Sequence, residues 1–172
     1  MMLRSADPSS VRQAVESLYE RHLDEVHRYL LRIGLARPQA EDICQESFVR
    51  LFVALRQGQR IRNPRAWLFT VAHNAGVSAA KASLRNECLP PEMEAGLAGR
   101  EPDPEQAVLA GEKWRRFHLA MGELTPHQRH CLHLRAEGLR YREIAGIVGV
   151  GIASIAEAVE RAVKRIREAL ND

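Results

Sequence analysis

The stretch that decides the fold of this chain is Tyr141-Arg142-Glu143-Ile144-Ala145-Gly146-Ile147-Val148-Gly149-Val150-Gly151-Ile152-Ala153-Ser154-Ile155. Ala145 is the small residue that two crossing helices require, and Gly149, four residues later, tolerates the positive φ of a turn. Apolar side chains that would face a shared core stand at Ile144, Val148, Val150 and Ile155. The spacing predicts a helix-turn-helix with helices at about 141–148 and 152–170, and a plain helical hairpin is the alternative.

The second helix of such a motif lies in the DNA major groove. Its base-facing positions would be Ile152, Ala153, Ala156 and Glu157. None of them is Arg, Lys, Asn or Gln, the side chains that make bidentate contacts with base edges. Basic residues come only later, at Arg161, Lys164, Arg165 and Arg167, where they suit phosphate contacts or a solvated helix face. The stretch therefore predicts the fold of the motif more strongly than its ability to read a DNA sequence.

Helical periodicity also fills the chain upstream of this motif. A stripe of Ala110, Trp114, Phe117, Met121 and Leu124 predicts a helix from about 105, and Thr125-Pro126 predicts the cap of a following helix that ends at Gly138. Three more helices are predicted at about 10–33, 38–57 and 64–85, separated by Gly34, by Gly58 and by the pair Asn63-Pro64. The low aromatic content of 5% favours the same all-α fold.

Residues 86–104 divide this helical pattern into two small domains. The segment holds four prolines, two glycines and five acidic side chains, a composition that cannot bury a core. We therefore predict an extended or mobile linker between a domain at 10–85 and a domain at 105–172. Residues 1–85 carry a net charge of +5, residues 86–112 of −6 and residues 113–172 of +4. Two basic blocks suit a polyanionic partner.

Several classes of protein are disfavoured by the same sequence. No apolar run approaches the roughly 20 residues that cross a bilayer, and the first residues lack a secretory signal, so a cytoplasmic protein without membrane insertion is predicted. Cys44, Cys88 and Cys131 are odd in number and far apart, which predicts neither a disulfide framework nor a CxxC metal site. No phosphate loop, Ser-His-Asp signature or HExxH motif is present, so neither an enzyme nor a cofactor is predicted.

A cluster of side chains with ligating atoms lies in one predicted helix. Its members are His127, His130, Cys131 and His133. Some of them could share a helix face and bind Zn²⁺, but the sequence offers no evident fourth ligand. Ordinary, partly exposed histidines are the stronger interpretation, and no metal site is predicted.

Three blocks of this sequence resemble a family, the extracytoplasmic-function (ECF) sigma factors of bacterial RNA polymerase. Residues 40–51, from Ala40 to Leu51, resemble the helix that grips the polymerase clamp, and residues 63–74 resemble the helix that opens the promoter. Leu124-Thr125-Pro126, together with residues 137–145, resembles the family's region four. The resemblance covers about 15–170, and it implies two helical domains, region two and region four, joined by an acidic linker.

The resemblance also implies where each partner binds. Core RNA polymerase would contact Glu41, Asp42, Gln45, Glu46 and Arg50. The melted minus-ten promoter element would contact Arg60, Arg62, Asn63, Arg65, Trp67, His73, Asn74 and Lys81. The minus-thirty-five element would contact Arg142, Ile152, Ala153, Ser154, Ala156, Glu157, Arg161 and Lys164. An anti-sigma protein is a further implied partner.

Elementary chemistry agrees with parts of this assignment. A polar, acidic helix face suits a basic partner. The cations of the loop at 58–62, beside a flexible turn, suit single-stranded DNA. Trp67 would either support that loop from the core or stack on a base, and its place in an apolar stripe favours the first role.

Both DNA-facing helices are less basic than the family pattern. After Asn74 only Lys81 and Arg85 remain basic, and Ala156, Glu157 and Ala158 stand where family members carry Lys and Arg. Because duplex binding depends on phosphate neutralisation, weak DNA binding by the isolated protein is predicted.

Three functions are compatible with these features of the sequence. The first is an active sigma factor, and the second is a sigma-like module that binds an anti-sigma protein without driving transcription. A plain helix-turn-helix repressor is the third, and it leaves the N-terminal half unexplained. If the two domains packed together, we would expect the polymerase-binding face to be covered and the factor to be inhibited.

Overall fold

The computed structural model of the chain describes residues 8–86 and 104–171. Within these ranges the structure is helical and contains no strand, which confirms the predicted all-α fold. The helices are α1 (Pro8–Arg32), α2 (Arg37–Arg56), α3 (Pro64–Asn86), α4 (Pro104–Gly122), α5 (Pro126–Ala136), α6 (Tyr141–Val148) and α7 (Ile152–Asn171). The interior of the predicted linker lies outside the described residues. None of the described helices combines the length and the hydropathy that crossing a bilayer requires.

Helices α1, α2 and α3 form an N-terminal unit around one apolar core. Tyr29 of α1 and Phe69 of α3 are fully buried and meet edge to face, with ring centroids 5.7 Å apart. The buried side of α2 carries Cys44, Phe48, Leu51 and Leu55. Because these residues recur at steps of three and four, the polar residues between them are forced onto the opposite face of α2. The core thus determines which face of α2 meets solvent.

Helices α4 to α7 form a C-terminal unit that contains the predicted helix-turn-helix. Thr125 closes a capping box at the start of α5, where its side chain accepts from the backbone N–H of Gln128 at 3.2 Å. Gly149 ends α6 at φ 79°, in the left-handed region that the sequence predicted for the turn. Ile144 and Ile155 are fully buried between the two helices of the motif. The local signals in the sequence therefore predicted the turns correctly.

One predicted core position, Val150, is wrong. Val150 does not face the shared core and is 37% exposed, because it follows the left-handed Gly149 and only its backbone N–H turns back, to the carbonyl of Ala145. Ile147 is buried in the motif instead. The stripe that runs along α4 is buried at Leu124, whereas Trp114 is 45% exposed.

Gly146 within α6 and Gly149 at its C-terminal cap give a matched test of the turn. Neither Gly146 nor Gly149 has a neighbour within 4 Å of an added Cβ, but only Gly149 has a positive φ. We expect Gly149→Ala to lower the free energy of unfolding by about 1 kcal/mol, because a Cβ strains the left-handed backbone. Gly146→Ala should raise it by about 0.5 kcal/mol, because alanine favours a helix interior. Urea unfolding of the full chain measures both, and equal effects of the two substitutions would contradict this account of the turn.

Candidate functional site

The outer face of α2 is polar and open to solvent. Glu41, Asp42, Gln45 and Glu46 are all exposed, as the sequence predicted for a partner-binding face. Arg50 donates its Nε–H to Glu46 Oε1 at 2.8 Å, so its charge is paired within the face. The face as a whole is acidic and suits a partner that presents cations.

Two apolar side chains on the same face were missed by the sequence analysis. Val49 is 55% exposed, and Val53, one turn further on, is exposed as well. Val49 lies four residues after Gln45, and Val53 lies seven residues after Glu46, so both valines share the side of α2 that carries these polar residues. The signal was available in the sequence, because these valines lie off the stripe that buries Phe48 and Leu51. Apolar side chains within a polar rim are typical of a protein-binding surface.

The loop between α2 and α3 presents cations and caps α3. Arg60 and Arg62 are exposed. Asn63 accepts from the backbone N–H of Ala66 at 3.1 Å and donates its Nδ2–H to Glu143 of α6 at 2.7 Å. The loop is therefore tied to the C-terminal unit through the residue that begins α3.

Helix α3 separates its predicted DNA-contacting residues into two groups. Asn74 and Lys81 are exposed, whereas Trp67 is partly buried against the core. His73 is only 7% exposed and shares a 2.6 Å hydrogen bond with the hydroxyl of Tyr29. Small residues follow it because α3 approaches α1 closely; a Cβ on Gly76 would lie 2.8 Å from side-chain atoms of Leu30 and Ile33. Close packing thus accounts for the glycine at position 76, on the side of α3 that faces α1.

One buried carboxylate joins the two units. The side chain of Glu137, which follows α5, is 3% exposed and accepts from Arg28 at 2.8 and 3.1 Å and from Arg32 at 2.6 Å. Its backbone carbonyl accepts from Arg65, which also donates to Glu25 at 2.9 Å. We call the contacts of Glu137 with Arg28, Arg32 and Arg65 the Glu137 bridge. It holds α1 and α3 against the C-terminal unit.

Neutral histidines extend the contact between the units. The rings of His73 and His130 meet edge to face with centroids 5.3 Å apart. Burial lowers the pKa of His73 to about 4, and His130 adds to the effect. Burial also lowers the pKa of His133 to about 4, with further repulsion from Arg32, His130 and Arg129. The pKa of His130 is lowered by burial and then by Arg129, His127 and Lys81. These histidines are therefore uncharged in this arrangement at neutral pH.

This arrangement covers the side of α3 that carries Arg65 and His73, but the described residues leave the outer face of α2 open. The expectation that packing of the two domains would cover the polymerase-binding face is wrong, because the covering helices α5 and α6 lie on α1 and α3. Arg65 and His73 are engaged between the units. Their predicted contact with the minus-ten element stays a prediction.

The outer face of α7 is open as well. Ile152, Ala153, Ser154 and Glu157 are exposed, Ala156 is partly buried, and Arg142 of α6 is exposed. Two of the cations further along α7 have acidic neighbours on the same helix. Arg161 contacts Glu157 at 2.5 Å and Lys164 lies 3.9 Å from Glu168. This pairing reduces the positive charge that α7 offers to phosphates.

The histidine and cysteine cluster on α5 has little capacity for a metal ion. Both ring nitrogens of His127 lie 3.8–4.0 Å from Cys131 Sγ. Burial raises the pKa of the Cys131 thiol to about 11, so the thiolate that binds zinc is disfavoured. Among the residues that the structure describes, no three His, Cys, Asp or Glu side chains are grouped as metal ligands.

Comparison with known proteins places these two units in one family. Residues 18–85 match the family model of sigma-70 region 2, and residues 114–166 match that of sigma-70 region 4. The ferric citrate uptake sigma factor FecI of Escherichia coli is 31% identical over 156 residues, which cover 87% of this chain and 86% of FecI. The ECF RNA polymerase sigma factor SigE of Mycolicibacterium smegmatis is 27% identical over 90% of this chain, and the chain spans 61% of the length of SigE.

Solved structures show the same fold. The sigma factor RpoE of Bartonella quintana, in its complex with the anti-sigma factor NepR, has a TM-score of 0.70 at 21% identity; the match covers 91% of this chain and 96% of RpoE. The chain thus has the two helical units of a sigma factor, a class of transcription regulators. It belongs to the sigma-70 family of RNA polymerase sigma factors, within the ECF group.

The Glu137 bridge can be tested by an isosteric substitution. Glu137→Gln removes the charge that faces Arg28 and Arg32, and we expect it to weaken closure by about 2 kcal/mol. This loss of free energy is smaller than the loss expected for a fully buried ion pair, because the side chains of Arg28 and Arg32 stay 48% and 39% exposed. Small-angle X-ray scattering should then show a larger radius of gyration. The control is Glu123→Gln, which removes the exposed pair with Arg165 inside the C-terminal unit. An unchanged radius for Glu137→Gln would contradict the role of the bridge.

The neutral histidines predict that acid opens the molecule. The pKa values of His73, His130 and His133 are lowered in the closed form, so on acidification the open form takes up protons at a higher pH than the closed form. The neutral rings therefore favour the closed form fully only above about pH 6.5, the ordinary pKa of histidine. This preference for the closed form is lost as the pH falls from 6.5 towards 4. For each histidine, the ratio of closed to open molecules falls by up to about tenfold per pH unit. The radius of gyration should rise between pH 7.5 and 5.5. His130→Gln should reduce this rise, whereas His118→Gln on α4 should preserve it; a radius independent of pH would refute the prediction.

Proposed function

We propose that this chain directs core RNA polymerase to its promoters as a transcription initiation factor in the cytoplasm. In this proposal the outer face of α2 binds the polymerase, the α2–α3 loop and α3 capture the melted minus-ten element, and α6–α7 bind the minus-thirty-five element. The domain limits follow the prediction, at 10–85 and 105–172, with the segment at 86–104 as linker. No catalytic step is assigned to the chain itself.

The observation that carries this proposal is the outer face of α2. The polar side chains Asp42 and Glu46 and the apolar side chain Val49 share a surface that no described residue covers. An exposed valine on an acidic face adds nothing to the core, and it suits burial against a partner protein. This face stays accessible even while α3 is covered. The factor can therefore meet polymerase in its closed form.

The DNA-binding part of the proposal requires the closed form to open. Arg60 and Arg62 are exposed beside the start of α3, and Asn74 and Lys81 lie along it. Arg65 would join them once it leaves the carbonyl of Glu137. Binding to polymerase would supply the free energy for this separation if the polymerase binds the open form more tightly than the closed form.

A second candidate function is a sigma-like module that binds an anti-sigma protein without driving transcription. Two observations favour it: α3 is covered, and Arg161 on α7 is paired with Glu157. The similarity to RpoE, which was solved in complex with NepR, adds that a chain of this fold can carry such a partner. We also propose an anti-sigma protein as the regulator of the active factor, since the open face of α2 offers it a surface.

Transcription in vitro separates the two functions. Purified core polymerase, the full chain and a library of promoter fragments are combined at physiological salt. An initiation factor should yield transcripts from particular promoters only when the chain is present. The main proposal would be refuted if the chain bound core polymerase but yielded no promoter-specific transcript from any fragment. The sigma-like module that binds an anti-sigma protein would then be the remaining function.

Charge reversal on α2 tests the polymerase-binding face. We expect Asp42→Lys with Glu46→Lys to weaken binding to core polymerase by about tenfold or more, because like charges would face each other in the contact. Glu168→Lys, an exposed charge reversal at the far end of α7, is the matched control and should bind normally. Fluorescence anisotropy of the labelled chain titrated with core polymerase measures both. Equal affinity of the double variant and the control would exclude this face as the docking site.

A further inference from the structure

An exposed apolar group lies at the beginning of α7. Ile152 is 49% exposed, Val150 in the turn before it is 37% exposed, and the methyl group of Ala153 follows. We call these three residues the apolar tip. Their side chains add little to the core, because the buried side of α7 is formed by Ile155, Ala158, Val159 and Ala162. The tip therefore suits contact with something outside the chain.

The position of the tip indicates what it meets. The first turns of the second helix of a helix-turn-helix contact the base edges in the major groove. At those positions this chain carries hydrocarbon where bidentate donors are usual, and its nearest carboxylate, Glu157, is engaged by Arg161. The feature of a base edge that hydrocarbon recognises is the C5-methyl group of thymine.

We infer that the apolar tip reads thymine methyl groups in the upstream promoter element, with Ile152 and Ala153 as the specificity-determining residues. The inference rests on the proposed function and specifies how its upstream contact is made. Ala156 lies one helical turn beyond Ile152 of the tip, about 6 Å along the axis, so its methyl group would meet a second base pair about two steps along the groove from the first contact. Two nearby T·A pairs are therefore the element that α7 selects, while Ser154 can bond to either kind of base.

The inference also accounts for the weakly basic recognition helix. Methyl contacts need no cation, and each buried methyl group contributes about fourfold to binding. Such a helix discriminates modestly and depends on polymerase to hold it against the promoter. This agrees with the weak DNA binding that the sequence predicts for the isolated protein.

The test uses thymine and uracil templates with the complete holoenzyme. The holoenzyme, formed from core polymerase and the full chain, first selects promoters from a library with a randomised upstream element. The most enriched promoter is then prepared with either thymine or uracil in that element. Uracil keeps every hydrogen-bonding group of thymine and lacks only the methyl group.

We expect transcription from the uracil template to fall about fourfold for each methyl group removed. Ile152→Ala should reduce transcription from the thymine template by a similar factor and leave the uracil template unaffected. A merely structural role of Ile152 would reduce both templates equally. Val163→Ala is the control, because Val163 is a comparably exposed apolar residue three turns further along α7, at 39%.

Two results would overturn the inference while the proposed function stands. One is an enriched upstream element without T·A pairs. The other is equal transcription from both templates by the wild type and by Ile152→Ala, which would assign the tip to a protein contact. Absence of transcripts from every template would instead refute the proposed function, so the two failures are distinguishable.

Discussion

The arrangement of the two units depends on the burial of one carboxylate. A charged group as buried as Glu137 is stable only with close cationic partners, and Arg28 and Arg32 of α1 provide them. The backbone carbonyl of Glu137 also accepts a hydrogen bond from Arg65, so the same residue contacts both α1 and α3. The contact between His73 and His130 can then form with both rings uncharged. The covering of α3 follows from this set of contacts.

The sequence predicted the features that are decided locally. Thr125 with Gln128 forms the capping box, and Gly149 takes the left-handed turn, because each of these depends on residues at most four positions away. Periodicity likewise placed Ile144 and Ile155 in the core. Val150 was misplaced because the turn breaks the helical period at that residue, so a pattern that holds on either side no longer gives the direction of a side chain.

The contacts between the units could not be predicted in this way. Glu137 and Arg28 are 109 positions apart, and no spacing rule links them. Arg65 reads as an exposed cation beside a loop, and His73 as a polar residue on a helix, yet both are engaged between the units. Val49 is a different case, because it lies off the buried stripe of α2 and its exposure could have been predicted from the sequence. The predicted polymerase and DNA contacts remain predictions, because each of them concerns a partner molecule.

The unequal exposure of α2 and α3 has a consequence for competition inside a cell. A genome offers roughly a million or more nonspecific sites to any cationic surface. While Arg65 is bound to Glu137, the closed chain withholds this cation from those sites, whereas Arg60, Arg62 and Lys81 stay exposed. The acidic face of α2 is repelled by DNA and stays open to protein. Under the proposed function, closure would leave α2 free to meet polymerase first, and promoter capture would follow once the units separate.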